Sequence, residues 1–360
     1  MVNKSIKLNT KFLFSEVSDD LDQLFQENSE RWSSIFILVD TNTHENCLPL
    51  FLNSVNFDDN VEILEIEAGE KSKDIEIATG LWMTLSELNA DRKSLIINLG
   101  GGVVCDLGAW VAANYKRGID FIHVPTTLLA MIDASIGGKT GIDMGGIKNL
   151  VGSFSLPHSV LNHPPFLNTL VDKEWYSGFA EMIKHGLIDD NQLWNKVKSI
   201  SPKDHDEVKN LIQETATIKI NVVKADFKEK GDRKKLNFGH TIGHAIEAIS
   251  IERDEILSHG HCVAIGMVLA TLISHKKGVL DDSEMKLIND YILKLYTIPN
   301  WLIEESDRLI EKVQKDKKNI GDVILMVLLT SIGEAIIDVE VEKDMIKEVL
   351  IEISNDRSVN

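Results

Sequence analysis

Cysteine is scarce in this chain. Cys47, Cys105 and Cys262 are the only three in 360 residues, widely spaced and with no C-x-x-C. That excludes a disulfide framework and a thiolate zinc site. Positive charge is also in deficit: 38 Lys and Arg stand against 56 Asp and Glu, a formal net charge of -18. General nucleic-acid binding needs the opposite surface, so nucleic acid is excluded as a partner. An anionic small molecule is not excluded, because a local cluster of Lys and Arg can oppose the global sign. No apolar run approaches the ~20 residues that span a bilayer. The opening MVNKSIKLNTKFLF lacks the apolar stretch of a secretory signal. There is no internal repeat and no low-complexity tract. These absences predict a protein of the reducing cytoplasm that does not enter a membrane.

What is present is an ordinary globular composition, 43% hydrophobic, in a chain long enough for two cores. Short apolar runs at 34–39, 61–66, 94–99 and 121–124 read as strands. Helical patterns fall between them, at 74–88 and 104–114, and the alternation predicts a parallel sheet. From about Lys173 the pattern changes to long helical stretches at 175–187, 206–224, 240–249, 262–275 and 283–295. Only 323–329 and 335–339 look strand-like there. The expected fold is an α/β Rossmann-like domain over 1–165, followed by a mainly α-helical domain over 166–360, with the change near Pro164-Pro165.

Several constellations carry chemistry. Gly100-Gly101-Gly102 ends a strand and opens a helix, a place where a pyrophosphate can approach bare backbone N–H groups. It is not G-x-G-x-x-G. Asp40 ends an earlier strand, before the glycines, which inverts the usual Rossmann order. Alone, Asp40 reads as a turn or cap residue. The glycine-rich segment 133–149 holds Lys139 and Lys148, with Arg117 upstream, and flexible backbone with ammonium groups suits a phosphate or polyol. Glu181 and Lys184 are three apart on a helical pattern, so spacing alone favours a simple ion pair. His240 and His244 share a helical face, and His259 and His261 follow, a concentration of imidazole that suggests a divalent metal, zinc above others. Spacing alone makes both members of the H-x-x-x-H pair ligands, and leaves open that one of them acts on substrate.

The blocks GGGVVCDLGAWVA, RGIDFIHVPTTLLAMIDASIGGKTGID, KNLVGSF, SGFAEMIKHGLI, RKKLNFGHTIGHAIE and HGHCVAIGM, in that order, resemble the 3-dehydroquinate synthase family of sugar-phosphate cyclases over about 40–329. The resemblance implies an N-terminal NAD-binding domain, a helical metal- and substrate-binding domain, and an active site between them. It implies a metal, zinc or alternatively cobalt, on Glu181, His240 and His259, with His244 on the substrate side. It implies substrate contacts from Asp133, Lys139, Asn149, Lys184, Lys219, Arg233, Asn237 and His244. Arg117 matches an arginine that serves the neighbouring subunit's phosphate site, which implies a homodimer. Asp40, Asn42, Glu70, Lys73, Gly101, Gly102, Val103, Asp106, Thr126, Thr127, Lys139, Lys148 and Thr169 fall where the family holds NAD. The implied reaction, a phosphorus-oxygen lyase step of the shikimate pathway of aromatic amino acid biosynthesis, converts 3-deoxy-D-arabino-heptulosonate 7-phosphate to 3-dehydroquinate and phosphate. It runs through transient oxidation, phosphate elimination, reduction and internal aldol closure. The chain departs from the family pattern at Cys105, at Asp226-Phe227 and at His261, which stands beside His259 as a rival ligand. A family lysine near the end matches Lys317 or Lys318.

Overall fold

A computed structural model describes residues 10–15, 22–23, 25–26, 31–55, 57, 61–145, 147–314 and 324–355. The chain divides into two compact units, Met1–Val171 and Asp172–Asn360.

The first unit is built on six parallel strands. In chain order they and their helices are β1 (Lys11–Phe14), β2 (Ile35–Asp40), α1 (Thr41–Asn46), α2 (Leu48–Ser54), β3 (Val61–Ile66), α3 (Ile75–Glu87), β4 (Leu95–Gly100), α4 (Gly102–Asn114) and β5 (Asp120–Pro125). An antiparallel pair, β6 (Lys139–Met144) and β7 (Ile147–Phe154), precedes β8 (Ser159–Asn162). The sheet order is β1-β8-β5-β4-β2-β3. Strand β4 is buried at every position, as a strand covered on both faces must be. Its neighbours bury Phe36, Leu38 and Phe121 in one core with Leu107, Ala109 and Trp110 of α4. His123 on β5 is buried there too, and burial pushes its pKa down to about 3.

The four sheet strands expected from sequence, at 34–39, 61–66, 94–99 and 121–124, are all present in this sheet. Strands β1 and β8 were not expected; four residues each carry too little pattern to stand out. Segment 133–149 differs from the flexible stretch that its glycines suggest. A π turn at Ala130–Ala134 leads into the β6–β7 hairpin, and Ile142 anchors that hairpin in the core.

The second unit is mainly helical: α5 (Asp172–Asp189), α6 (Asn191–Val197), α7 (His205–Asn210), α8 (Ile212–Ala225), α9 (His240–Glu252), α10 (His259–Lys276), α11 (Asp282–Leu295) and α12 (Ser306–Gln314). An antiparallel pair, β9 (Ile324–Ser331) and β10 (Glu334–Val341), and helix α13 (Lys343–Asn355) complete it. The single helix expected at 206–224 is two, broken at Leu211. Helix α10 is buried on nearly all sides from Cys262 to Ser274, so it is the axis of this unit. Each of Ile265, Met267, Leu269 and Ile273 is at most 1% exposed, worth about 1.5–3 kcal/mol apiece in apolar burial. Gly260 lets α10 meet α5: a Cβ there would stand 2.0 Å from the Ser177 carbonyl oxygen. No described helix is long and apolar enough to cross a membrane.

Candidate active site

In the first unit the polar residues gather at the carboxyl ends of β2, β4 and β5. The chain leaves β2 toward β3 on one side and returns to β4 on the other. That reversal opens a crevice between the ends of β2 and β4, where doubly wound sheets bind ligands. Asp40 ends β2 and caps α1, its Oδ1 accepting the Thr43 N–H at 2.8 Å. Asn42 lies in the first turn of α1. Gly101 is the N-cap of α4, and no side chain caps that end. A Cβ on Gly101 would meet Thr127 Cγ2 at 3.1 Å, and one on Gly102 would meet Ala134 Cβ at 3.4 Å. This is bare backbone with N–H donors at a helix start, and it suits a pyrophosphate. Val103 and Asp106 follow in the first turns, and Thr126 donates its N–H to the Gly100 carbonyl at 3.0 Å. Cys105, buried behind the cradle, points its Sγ to the Gly100 carbonyl at 3.8 Å.

Lys73 joins several of these groups. Its Nζ donates to Asp106 Oδ2 and to Asn149 Oδ1, both at 2.6 Å. Lys148 pairs with Glu70 at 3.4 Å. Asp40, Thr126 and Thr169 surround the buried Cys47 thiol. Burial, with the Asp40 charge adding, pushes that thiol up to about 11 against hydrogen bonds with Thr169 and Thr126. Asp133 lies in the π turn and Lys139 opens β6. Arg117 stands apart within this unit. It follows the far end of α4, whose 13 residues rise about 20 Å from the glycine cradle.

In the second unit, Glu181 and Lys184 lie one turn apart on α5, and Lys184 Nζ pairs with Glu181 Oε2. Both are essentially inaccessible to water. The other carboxylate oxygen, Oε1, faces two imidazoles: His240 Nε2 of α9 at 3.6 Å and His259 Nε2 of α10 at 3.7 Å. It accepts no hydrogen bond among the described residues. The opposite ring nitrogens are engaged. His240 Nδ1 lies 3.1 Å from the Phe238 carbonyl, and His259 Nδ1 lies 3.3 Å from Glu247 Oε2. A carbonyl can only accept, so His240 Nδ1 carries a proton, and Nε2, which faces Glu181, is the nitrogen that can offer a lone pair once the ring is neutral. Burial lowers the His259 pKa, but the Glu247 and Glu181 carboxylates outweigh it and hold it above the ordinary value.

Ligands about 2.1 Å from a tetrahedral zinc stand about 3.4 Å apart, close to the separations around Glu181 Oε1. The residues therefore fit a divalent cation. His244 is exposed and offers a third imidazole nitrogen within 4.8 Å of those on His240 and His259. His261 turns elsewhere, its Nε2 2.6 Å from the Thr297 carbonyl.

Arg233, 1% exposed, donates from Nη1 to the Phe227 carbonyl at 2.5 Å. Its loop is folded over Asp226, whose carboxylate accepts N–H groups from Lys230, Gly231 and Arg233 at 3.0, 2.7 and 3.3 Å. Burial opposes the charge, yet those three amides hold the Asp226 carboxyl below its usual range. Asn237 Nδ2 donates to Glu229 Oε1 at 2.8 Å, and Lys219 is buried on α8. Lys317 and Lys318 lie outside the described residues. From the sequence, no site role was assigned to Cys47, Asp143, Asp226 or Glu247. Only Glu247 left a signal, seven residues beyond His240 on the same face of α9.

A parallel α/β unit followed by a mainly helical unit is the fold of solved sugar-phosphate cyclases and of related dehydrogenases. A 2-deoxy-scyllo-inosose synthase, solved with carbaglucose-6-phosphate, NAD+ and Co2+, matches with a TM-score of 0.79 at 25% identity over 95% of this chain and 96% of that one. The 2-epi-5-epi-valiolone synthase of Streptomyces hygroscopicus, solved with NAD+ and Zn2+, matches with a TM-score of 0.86 at 21% identity over 99% of both chains. Within that class the sequence is more specific. Residues 63–177 match the 3-dehydroquinate synthase N-terminal family model and 178–319 its C-terminal model. The 3-dehydroquinate synthase of Parabacteroides distasonis is 40% identical over 94% of this chain and 95% of its own. The chain belongs to the 3-dehydroquinate synthase family.

Proposed function

We infer that this chain is a 3-dehydroquinate synthase, converting 3-deoxy-D-arabino-heptulosonate 7-phosphate to 3-dehydroquinate and phosphate in aromatic amino acid biosynthesis. The observation that carries the reading is the open Glu181 carboxylate facing His240 and His259, in a chain matched to this family from 63 to 319. When bound, NAD supplies a hydride acceptor that is regenerated within the cycle, and the divalent cation supplies a Lewis acid.

Glu181, His240 and His259 hold the cation. The Gly101–Val103 cradle, with Asp40, Asn42, Glu70, Lys73, Asp106, Thr126, Thr127, Lys139, Lys148 and Thr169, holds the dinucleotide. Lys139, Asn149 and Arg117 position the departing phosphate. Asp133, Lys184, Lys219, Arg233 and Asn237 fix the hydroxyls and carboxylate, so the reacting carbons are held before any bond changes. His244, exposed beside the two imidazole ligands, moves protons at the substrate oxygen near neutral pH. The remote place of Arg117 in its own unit supports a homodimer in which it serves the other copy. The reading is of a cytoplasmic enzyme.

Phosphate release from the heptulosonate, with and without NAD and a chelator, tests the reading. Stoichiometric phosphate, trace-level NAD dependence and loss of activity with the chelator are expected. Accumulation of NADH in proportion to substrate would mark a polyol dehydrogenase instead, and release only from a different sugar phosphate would mark a related cyclase.

A further inference from the structure

Asp143, on β6, belongs to none of the sets above, yet it is tied in three ways. Its N–H donates to the Lys73 carbonyl at 2.7 Å. It forms an isolated parallel bridge with Asp74. Its Oδ1 accepts the Asn149 N–H at 2.7 Å. The hairpin register explains the last bond. Ile142 faces Val151 and Met144 faces Ile147, so Asp143 alone stands opposite Lys148, Asn149 and Leu150. A bulge of that kind strips amides of their ladder partners. Asn149 sits at φ +50°, in the left-handed region, which asparagine tolerates better than most residues with a Cβ. The Asp143 carboxylate takes the amide that this turn exposes. On the other side, Asn149 Oδ1 accepts from Lys73 Nζ, and Lys148 meets Glu70. The same short segment, Glu70 to Asp74, therefore grips the bulge through both backbone and side chains.

We propose that Asp143 is a positioning residue that fixes the Lys148–Asn149 bulge, so that the lysine and the asparagine are presented to dinucleotide and phosphate in one arrangement. What the bulge binds rests on the proposed function; the tether itself does not.

The test compares Asp143→Ala and Asp143→Asn in the full chain, loaded with NAD and zinc. In Asp143→Ala, the Asn149 amide is expected to exchange with solvent at least ~10-fold faster, and KM for the heptulosonate phosphate to rise ~10-fold with kcat changing less than ~3-fold. Asp143→Asn keeps an oxygen that accepts the same N–H, so it recovers most of both losses. An unchanged Asn149 exchange rate in Asp143→Ala overturns the tether. So does an Asp143→Asn variant as impaired as Asp143→Ala, or a loss confined to kcat. If the unmodified chain releases no phosphate, the functional reading falls, and the exchange measurement still decides the tether.

Discussion

Each unit of this protein buries a lysine against a carboxylate, and the two pairs are finished differently. Lys73 in the first unit is closed off. Its ammonium, 4% exposed, reaches Asp106 and Asn149, both at 2.6 Å. Burial works against that charge, but Asp106 and Glu70 outweigh it and hold the pKa above the ordinary lysine value. Glu181 in the second unit is left open. Lys184 meets one oxygen, while the other faces two imidazole nitrogens 3.6 and 3.7 Å away without a hydrogen bond. A buried charge closed by protein hydrogen bonds shapes a loop. One left open, with two imidazole nitrogens facing it, is a donor set of the kind that suits a divalent cation.

The largest effect should come from removing the open charge. Glu181→Gln keeps the shape and deletes the charge. Zinc after dialysis is expected to fall from about one per chain to near zero, and kcat/KM to fall ~1000-fold, about 4 kcal/mol. His244→Ala should keep its zinc and lose turnover. Elemental analysis with phosphate-release kinetics reads both. The reverse pattern, metal kept in the first variant and lost in the second, would make the three histidines the metal site and leave Glu181 as a mere ion-pair partner.

Breaking the closed pair should cost stability instead. Lys73→Met leaves the partly buried Asp106 without its ammonium and is expected to destabilise the first unit by about 3 kcal/mol in denaturant unfolding. It should leave zinc content unchanged. The control Lys286→Met removes an exposed pair with Asp282 and should barely move the midpoint. Equal effects for the two lysines would mean that burial adds nothing to the Lys73 pair, and the contrast between the units would dissolve.

The two pairs were not equally legible in the sequence. Glu181 and Lys184 are three residues apart on one helix, and His240 and His244 four apart on another, so helical spacing alone put each pair on one face. Strand β3 and the long helices were legible from their apolar periods, although the helix read from 262 begins at His259. Lys73, Asp106, Asn149 and Asp143 are separated by up to 76 residues, and only the sheet brings them together. No local period announces such contacts. The β6–β7 hairpin was hidden for another reason: its glycines read as looseness, while the order comes from Ile142 and from the hydrogen bonds of a bulge.

The same contrast of open and closed applies between two neighbouring histidines, where the expected effect is smallest. His259 and His261 are two residues apart at the start of α10, so they point about 200° apart around the helix. His259 turns Nε2 toward Glu181; His261 gives Nε2 to the Thr297 carbonyl at 2.6 Å. Burial lowers the His261 pKa, and a neutral ring with its N–H on that carbonyl fits the bond. His261→Gln can keep an N–H donor to Thr297, so about 1 kcal/mol or less of stability is at stake. Zinc stoichiometry and kcat should match the unmodified chain, whereas His259→Gln should lose the metal. A His261→Gln protein that binds zinc tenfold more weakly would show that α10 can turn its other imidazole inward, and that the closed histidine is a second ligand held in reserve.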